Sequence, residues 1–299
     1  MKIEKKNHNI KNSQNFLYDK KLVSRLIANS SISKNDLVYE IGGGKGIITQ
    51  ELALACYKVI SIEIDTELSN KLITFFNGVQ NIEIVCSDFL SYKLEDVECK
   101  FFSNIPFNIT TDILNKVLEL NNVKDIYFIM QYEAFLRYAG EPYYKECLKS
   151  LYYKPFFVTS LFYEFSPTDF KPIPRAKIIF AHFRQKIKPD ISHKNKKIYQ
   201  DFLAYIFGAK GSTIKEKLNK IFTYEQIKRA SKTIGFKQND TISKLKYNQW
   251  LALFDVYLNH VPQNKKFLVN NAYKKLLNQQ STLNKVHRNR NYIDIIRLK

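Results

Sequence analysis

Short apolar runs rich in isoleucine and valine recur through the first half of the chain and predict buried strands. They lie at residues 37–41, 58–64, 82–86, 100–104 and 125–131. Helical stretches stand between them, for example at residues 47–56, 67–77 and 111–120. This alternation of strand and helix predicts an α/β domain with a mainly parallel sheet and helices on its faces.

The pattern changes after Leu151. Two further strands, predicted at 156–165 and 176–184, flank the loop SPTDFKPIPR and indicate an antiparallel edge to the sheet. From Lys186 onward polar and basic residues dominate, with helix-like segments at 197–207, 212–222, 224–235 and 247–258. We therefore expect an α/β domain over 1–185, a small basic all-α domain over 186–262, and a basic tail over 263–299 to which the sequence assigns no role.

The net charge of +19 is distributed unevenly. Residues 1–183 hold 22 basic and 21 acidic side chains, whereas residues 184–299 hold 25 and 7. A lysine-rich composition explains the excess of lysine over arginine, but it would not leave one half neutral. Such a field attracts polyanions through phosphate contacts and counterion release, so the C-terminal part is expected to bind nucleic acid. Candidate RNA contacts are Lys210, Lys215 and Lys217.

The cysteine pattern argues against metal binding and disulfide formation. The four cysteines lie far apart with no Cys-x-x-Cys pair, so we expect no metal site and a reducing, cytoplasmic location. The N-terminal segment is basic and polar, and no run approaches the length of a membrane span, so no membrane association is expected.

A glycine-rich loop, Gly42-Gly43-Gly44-Lys45-Gly46, follows the first predicted strand directly. A dinucleotide fingerprint fails in both registers, because Ile47 or Thr49 stands where the third glycine is required. A phosphate-binding P-loop also fails, because Gly46 follows Lys45 in place of serine or threonine. A glycine-rich turn in an unrelated α/β fold remains an alternative for this loop taken alone.

The spacing that remains is E-x-G-x-G-x-G, formed by Glu40, Gly42, Gly44 and Gly46, with Glu63 at the end of the next strand. This pattern is similar to the first two motifs of class I S-adenosylmethionine methyltransferases. A carboxylate at the end of the second strand can accept both ribose hydroxyls, and small residues in the loop let a ligand approach.

A second motif ends the fourth strand, Asn104-Ile105-Pro106-Phe107, and Asp88 with Phe89 follows the third. Both fall at the carboxyl edge of the sheet, where open α/β sheets bind ligands. An amine conjugated to a purine is a poor nucleophile because its lone pair is delocalised into the ring. Such an amine must be oriented before it can attack a methyl group. The Asn104 oxygen and a carbonyl near Pro106 could accept its two N–H bonds, while Phe107 stacks on the extruded base. Alone, this motif could be a turn with a buried aromatic ring.

Together these residues resemble the ribosomal RNA adenine N6-dimethyltransferases, and among them the erythromycin-resistance (Erm) enzymes that act on 23S rRNA. The resemblance covers about residues 9–262. The segments that carry it are NIKNSQNFL (9–17), VYEIGGGKGIIT (38–49), VISIEID (59–65), SDFL (87–90), SNIPFNITTDIL (103–114), FKPIPR (170–175) and YNQWLALFDVYL (247–258).

The resemblance implies a Rossmann-like class I methyltransferase domain that uses S-adenosylmethionine. The cofactor contacts that it implies are Asn15, Leu17, Gly42, Gly44, Glu63, Asp88, Phe89 and Asn104. Asp88 would read the cofactor's adenine amine, and Phe89 would pack on that ring. Asn104, Pro106 and Phe107 would orient the target amine, and Phe170 would supply a second stacking face. Two positions depart from the family pattern. Gly43 stands at a position where family members vary, and Phe107 stands where tyrosine is more frequent.

The partner that the resemblance implies is ribosomal RNA, above all 23S rRNA before the ribosome is fully assembled. The enzyme would be a monomer, and the methylation would confer macrolide-lincosamide-streptogramin B resistance. The nearest alternative is the small-subunit (16S) rRNA dimethyltransferase, although Asn-Ile-Pro-Phe in place of Asn-Leu-Pro-Tyr favours the large-subunit branch. A non-catalytic RNA-binding or transcription factor would be expected to lose Glu63, Asp88 or Asn104. A DNA adenine methyltransferase is a third alternative, but such enzymes usually carry Asp or Asn followed by Pro-Pro-Tyr, whereas this chain has Asn-Ile-Pro-Phe.

Overall fold

The computed structural model describes residues 15–282, which divide between His193 and Lys194 into an N-terminal unit and a C-terminal unit. The boundary lies later than the predicted 185/186. The reason is that the main chain after Gln185 remains bonded to the N-terminal unit: Lys186 N donates to Phe156 O (2.8 Å) and Asp190 N to Pro155 O (2.9 Å).

The N-terminal unit is built on a seven-stranded sheet. Its strands are β2 (Leu37–Ile41), β3 (Lys58–Glu63), β4 (Ile82–Cys86), β5 (Cys99–Asn104), β6 (Val123–Gln131), β7 (Phe157–Glu164) and β9 (Ile178–Gln185), in the order β4-β3-β2-β5-β6-β9-β7. Neighbours from β4 to β6 are parallel, and β9 is antiparallel to both β6 and β7. The predicted parallel sheet with an antiparallel edge is confirmed.

Six helices accompany this sheet. They are α1 (Lys20–Ala28), α2 (Ile47–Ala55), α3 (Thr66–Phe75), α4 (Thr110–Val117), α5 (Tyr132–Ala139) and α6 (Leu148–Tyr153). The start of α1 is fixed by Asp19, whose carboxylate accepts the main-chain N–H groups of Lys21 and Leu22. The central strands are buried on both faces, so their apolar residues form a continuous run rather than an alternation.

A separate two-stranded sheet was not predicted from the sequence. Strand β1 (Phe16–Leu17) pairs antiparallel with β8 (Phe170–Lys171), so that Leu17 lies opposite Phe170. Both of these side chains are buried in the same apolar cluster. The pairing brings the start of the described chain and the FKPIPR segment together, although about 150 residues separate them in sequence.

The C-terminal unit is all-helical, as predicted. Its helices are α7 (Lys196–Gly208), α8 (Ile214–Leu218), α9 (Tyr224–Ile234), α10 (Tyr247–His260), α11 (Gln263–Val269) and α12 (Ala272–Thr282). The described part of the tail expected over 263–299 is not a separate appendage. The buried carboxylate of Asp201 accepts the N–H groups of Asn271 (3.1 Å) and Tyr273 (2.9 Å), which fixes the start of α12 on α7. Residues 283–299 lie outside the described residues.

Candidate active site

The carboxyl ends of β2, β3 and β5 surround one open pocket, at the edge of the sheet where open α/β sheets bind ligands. It is lined by Asn15, Phe16, Gly42, Gly44, Glu63, Asn104, Ile105, Pro106 and Phe107. Seven of these nine were singled out from the sequence; Phe16 and Ile105 were not. Predicted residues that do not line the pocket are Leu17, Asp88, Phe89 and Phe170.

The glycine loop adopts a backbone that requires glycine at alternate positions. Gly42, Gly44 and Gly46 have φ values of 76°, 55° and 81°, in the left-handed region that side chains disfavour. A Cβ at Gly44 would also lie 2.9 Å from the Phe16 ring. The loop therefore keeps an open cradle between Phe16 and the end of β2, as a bulky ligand requires.

Gly43 has a different explanation from its neighbours. A Cβ at this position would lie 2.4 Å from Ser61 Oγ and 2.9 Å from Leu72 Cδ1. The Ser61 hydroxyl occupies this space because it donates to the carboxylate of Glu40 at 2.7 Å. The departure from the family at Gly43 thus leaves room for a buried polar contact beneath the loop.

Glu40 lies under the loop and not in the pocket, and it is buried. Thr49 Oγ1 donates to its Oε2 at 2.5 Å, in addition to the bond from Ser61. Burial raises the pKa of Glu40 to about 8, although these hydrogen bonds oppose the shift. Glu40 therefore connects the end of β2 to α2 and β3, below the ligand-binding surface.

Glu63 reaches the pocket in a fixed orientation. Gly44 N–H donates to its Oε2 and Asp65 N–H to its Oε1, each at 2.9 Å. A carboxylate has about four acceptor positions, so two bonds to the main chain leave capacity for two more. This arrangement suits the predicted acceptance of two ribose hydroxyls.

Asn104 is held by a long-range contact to the main chain. Its Nδ2 donates to Asn15 O at 2.7 Å, which assigns the amide nitrogen to the protein. Oδ1 is then the end of the amide that can accept a bond from a ligand. The side chain thus has the orientation needed to accept an N–H of a target amine.

Pro106 and Phe107 form the turn that leads from β5 into α4. The Pro106 carbonyl accepts long bonds from Ile109 N and Thr110 Oγ1, both 3.3 Å, within this turn. Phe107 is half-buried and packs against the core cluster, which leaves part of its ring at the pocket. A ring in this position can support a base, and stacking does not require a hydroxyl group.

Asp88 and Phe89 differ in exposure although they are adjacent. Asp88 is half-buried, and its Oδ1 accepts the Leu90 N–H at 2.9 Å. Phe89 is 4% exposed and packs edge-on against Phe101, with ring centroids 6.1 Å apart. The prediction that Phe89 offers a face to the cofactor ring needs correction, because its ring is enclosed by the protein.

Phe170 also requires correction, and the burial of Leu17 leaves only its main chain for the predicted cofactor contact. Leu17 is 4% exposed and faces the core, so its side chain is not available to a cofactor. Phe170 is completely buried against Phe165, with ring centroids 5.2 Å apart. Its ring therefore presents no stacking face to a base in this structure. Alternation along β1 explains the missed residue, since Phe16 lies on the face opposite Leu17.

The three predicted RNA contacts in the C-terminal unit are not equivalent. Lys210 and Lys215 are exposed, and the Lys215 ammonium lies 5.0 Å from the centre of the Tyr224 ring. Lys217 instead donates to three carbonyls at the end of α7, those of Ile206 (3.5 Å), Phe207 (3.4 Å) and Ala209 (2.6 Å). Lys217 is corrected to a helix-capping residue, because its donors are used by the fold.

Within residues 15–282 no cluster of three or more His, Cys, Asp or Glu side chains is arranged to hold a metal ion. All four cysteines are unpaired. Across the same described span, every helix is too short or too polar to cross a bilayer.

The chain is similar to known rRNA methyltransferases along most of its length. The model of the family described as ribosomal RNA adenine dimethylase matches residues 5–259. An rRNA adenine N-6-methyltransferase of Bacteroides fragilis is 32% identical over 257 residues, which cover 84% of this chain and 94% of the relative. A ribosomal RNA small subunit methyltransferase A of Caldanaerobacter subterraneus is 26% identical over 250 residues, covering 80% of this chain and 93% of that protein.

A solved structure is also similar along nearly its whole length. The crystal structure of the 23S rRNA methyltransferase ErmE superimposes with a TM-score of 0.73 and 26% sequence identity. The match covers 81% of this chain and 98% of that one.

Proposed function

The chain belongs to the ribosomal RNA adenine dimethylase family, and we propose that within it the substrate is 23S rRNA, dimethylated at the N6 amine of one adenine. Family membership makes the chain an S-adenosylmethionine-dependent rRNA adenine N6-methyltransferase. The proposal adds which RNA is modified, how many methyl groups are transferred, and which residues do the work.

The observation that carries the choice of 23S rRNA is the similarity to ErmE, because it extends over 98% of that chain at a TM-score of 0.73. The Asn-Ile-Pro-Phe motif at Asn104–Phe107 supports the same choice. The 26% identity to a small-subunit methyltransferase favours 16S rRNA as the second candidate.

The residues of the pocket fit S-adenosylmethionine. A Cβ at Gly44 would crowd the cradle, and a side chain at Gly42 or Gly44 would be strained at these φ values. The bare glycines therefore suit the close approach of a ligand. The Glu63 carboxylate suits two ribose hydroxyls. Asp88 does not line the pocket itself, and its proposed role is to accept the adenine amine from the end of the neighbouring strand. When bound, S-adenosylmethionine supplies an electrophilic methyl group on its sulfonium.

The chain's own residues orient the second substrate, the target adenine. Asn104 Oδ1 accepts one N–H of the amine, and a main-chain carbonyl of the Ile105-Pro106 segment accepts the other. These bonds direct the nitrogen lone pair away from the ring, and Phe107 supports the base face. With its amine held in this way, the adenine would be oriented to take up the methyl group that S-adenosylmethionine supplies, and no side chain is required as a base because the surplus proton would pass to water.

The C-terminal unit supplies electrostatic attraction for RNA. Lys210 and Lys215 are exposed there and suit contacts with phosphates. We place the reaction in the cytoplasm, carried out by a monomer on rRNA that is not yet assembled into ribosomes, where methylation would confer macrolide-lincosamide-streptogramin B resistance.

The proposal is tested by transfer of labelled methyl groups from S-adenosylmethionine to purified RNA. We expect protein-free 23S rRNA to accept close to two methyl groups per molecule, and assembled 50S subunits and 16S rRNA to accept few. Two methyl groups on 16S rRNA with none on 23S rRNA would move the substrate to the small subunit. One methyl group on 23S rRNA would contradict dimethylation.

A further inference from the structure

A lysine that lies outside the pocket holds the loop that carries Asp88. The Lys116 ammonium donates to the carbonyls of Phe89 (2.5 Å), Leu90 (3.2 Å) and Tyr92 (2.5 Å). The same Nζ lies 4.6 Å from the centre of the Phe89 ring. All three protons of the ammonium group therefore have carbonyl acceptors in one short segment.

The segment after β4 depends on this lysine because three of its carbonyls point to one cation. Within the loop, the Asp88 carbonyl accepts Ser91 N and Tyr92 N, at 3.0 and 2.9 Å, which makes a tight turn. The carbonyls of Phe89, Leu90 and Tyr92 are held by Lys116, and this adds to the bond from Leu90 N–H to Asp88 Oδ1. The position of the Asp88 carboxylate is thus defined by a turn that Lys116 completes.

Burial makes these bonds stronger than surface contacts. Lys116 is half-buried, and desolvation lowers its pKa, although Asp88 opposes the shift. Hydrogen bonds from a cation to carbonyl groups stabilise more than bonds between neutral groups do. Neutral side chains of similar length could fill the same space but could not bind three carbonyl groups.

Lys116 also connects the two halves of the site. It stands near the end of α4, and α4 begins at Thr110, directly after the turn that contains Pro106 and Phe107. One short helix therefore carries the target-amine motif at its start and the support of the Asp88 loop at its end.

We propose that Lys116 is a positioning residue that sets the Asp88 loop for recognition of the cofactor's adenine. The inference rests on the proposed role of Asp88, and it does not depend on which rRNA is methylated. Lys116 does not line the pocket, so its effect should fall on cofactor selection and not on the transfer step.

The test is the affinity of the purified full chain for two ligands, S-adenosylhomocysteine and S-inosylhomocysteine, in the absence of RNA. The second ligand lacks the adenine amine that Asp88 would read. For Lys116→Met we expect S-adenosylhomocysteine to bind about 10-fold more weakly, with a change of less than about 2-fold for S-inosylhomocysteine. Lys116→Arg should restore most of the difference, because it keeps a cation with several donors.

Lys93→Met is the matched control, since this exposed lysine lies in the same segment and its replacement removes the same charge. Asp88→Ala should lose the same discrimination, and adding Lys116→Met to it should have little further effect. Equal weakening of both ligands by Lys116→Met, with or without a lower melting temperature, would overturn the proposal and leave a purely structural lysine.

The design separates this inference from the assignment on which it rests. If Asp88→Ala loses the discrimination between the two ligands and Lys116→Met retains it, only the role of Lys116 fails. If Asp88→Ala leaves both affinities unchanged, the role of Asp88 fails, and the role of Lys116 fails with it.

Discussion

The two units of the chain use charged and polar groups in different ways. Up to His193 the sequence holds 25 basic and 22 acidic side chains, and from Lys194 onward it holds 22 and 6. In the N-terminal unit the polar groups of the site are fixed by the main chain, as Glu63 is by Gly44 and Asp65. In the C-terminal unit lysines such as Lys210 are exposed.

This difference shows that net charge and site chemistry answer separate questions. The charge of the C-terminal unit supports attraction to RNA, but it does not tell which lysines face the RNA, as Lys217 demonstrates. In the N-terminal unit a single hydrogen bond can decide which atom of a side chain is left for a ligand. The bond from Asn104 Nδ2 to Asn15 O, for example, leaves Oδ1 as the acceptor. Substitutions should therefore act sharply in one unit and gradually in the other.

The largest effect is expected at Asn104. Asn104→Ala removes the acceptor for the target amine and should lower kcat by at least about 100-fold, the scale seen when one pre-organised polar group is removed. Methyl transfer to 23S rRNA under saturating cofactor measures this. Asn108→Ala, an exposed asparagine in the same turn, is the matched control. Equal activity in the two variants would contradict the assignment and weaken the contrast between the units.

Lys217 sharpens the comparison from the other side. Lys217→Met should lower the free energy of unfolding by about 2 kcal/mol, because three carbonyls at the end of α7 lose a charged donor. Fluorescence of Trp250, the only tryptophan, reports on the C-terminal unit during urea unfolding. Lys210→Met should leave stability unchanged and reduce the salt dependence of RNA binding. The reverse outcome would return Lys217 to the RNA interface.

Gly44 tests the cradle with a smaller expected effect. Gly44→Ala places a methyl group 2.9 Å from the Phe16 ring at a φ of 55°, so cofactor binding should weaken about 10-fold. Phe16→Leu in the same chain should recover part of the loss. The control is Gly78→Ala, which has a φ of 84° and no atom within 4 Å of the new Cβ. Wild-type affinity in Gly44→Ala would show that the loop does not hold the cofactor.

Over any single pH unit, the smallest effect is a pH dependence of stability from Glu40. Its pKa is raised in the folded chain to about 8 from 4.5, so its protonated form stabilises the fold. That contribution is complete below about pH 4.5 and is lost as the pH rises through 8. Between pH 5 and 8 the unfolding free energy should therefore fall relative to Glu40→Gln, by at most about 1.4 kcal/mol per pH unit, and it should level off above pH 8. Urea unfolding followed by circular dichroism would show parallel curves if Glu40 were ionised throughout.

Local sequence patterns were sufficient for much of the fold and for the centre of the site. The bounds predicted for β2 and β4, at 37–41 and 82–86, agree with the structure residue by residue. Gly42, Glu63 and Asn104 were found because each follows a recognisable strand, and parallel strands bring their carboxyl ends together.

The remaining features depend on contacts between distant segments, which no local pattern reports. Phe16 faces the pocket because β1 pairs with β8, and that same pairing buries Phe170. Lys116 and Lys217 are ordinary lysines in sequence, and each becomes structural through carbonyls that another part of the chain presents. The strand pairing and the lysine–carbonyl bonds are both set by tertiary packing, which the type of residue does not reveal.

The central claim is best tested by primer extension on large-subunit rRNA from cells that express the chain, compared with cells that express Asn104→Ala. We predict a strong stop at a single adenine of the macrolide site in the wild type, no stop in the variant, and growth in erythromycin for the wild type alone. An unmodified 23S rRNA, with dimethylated adenines in a small-subunit helix instead, would contradict the proposed substrate.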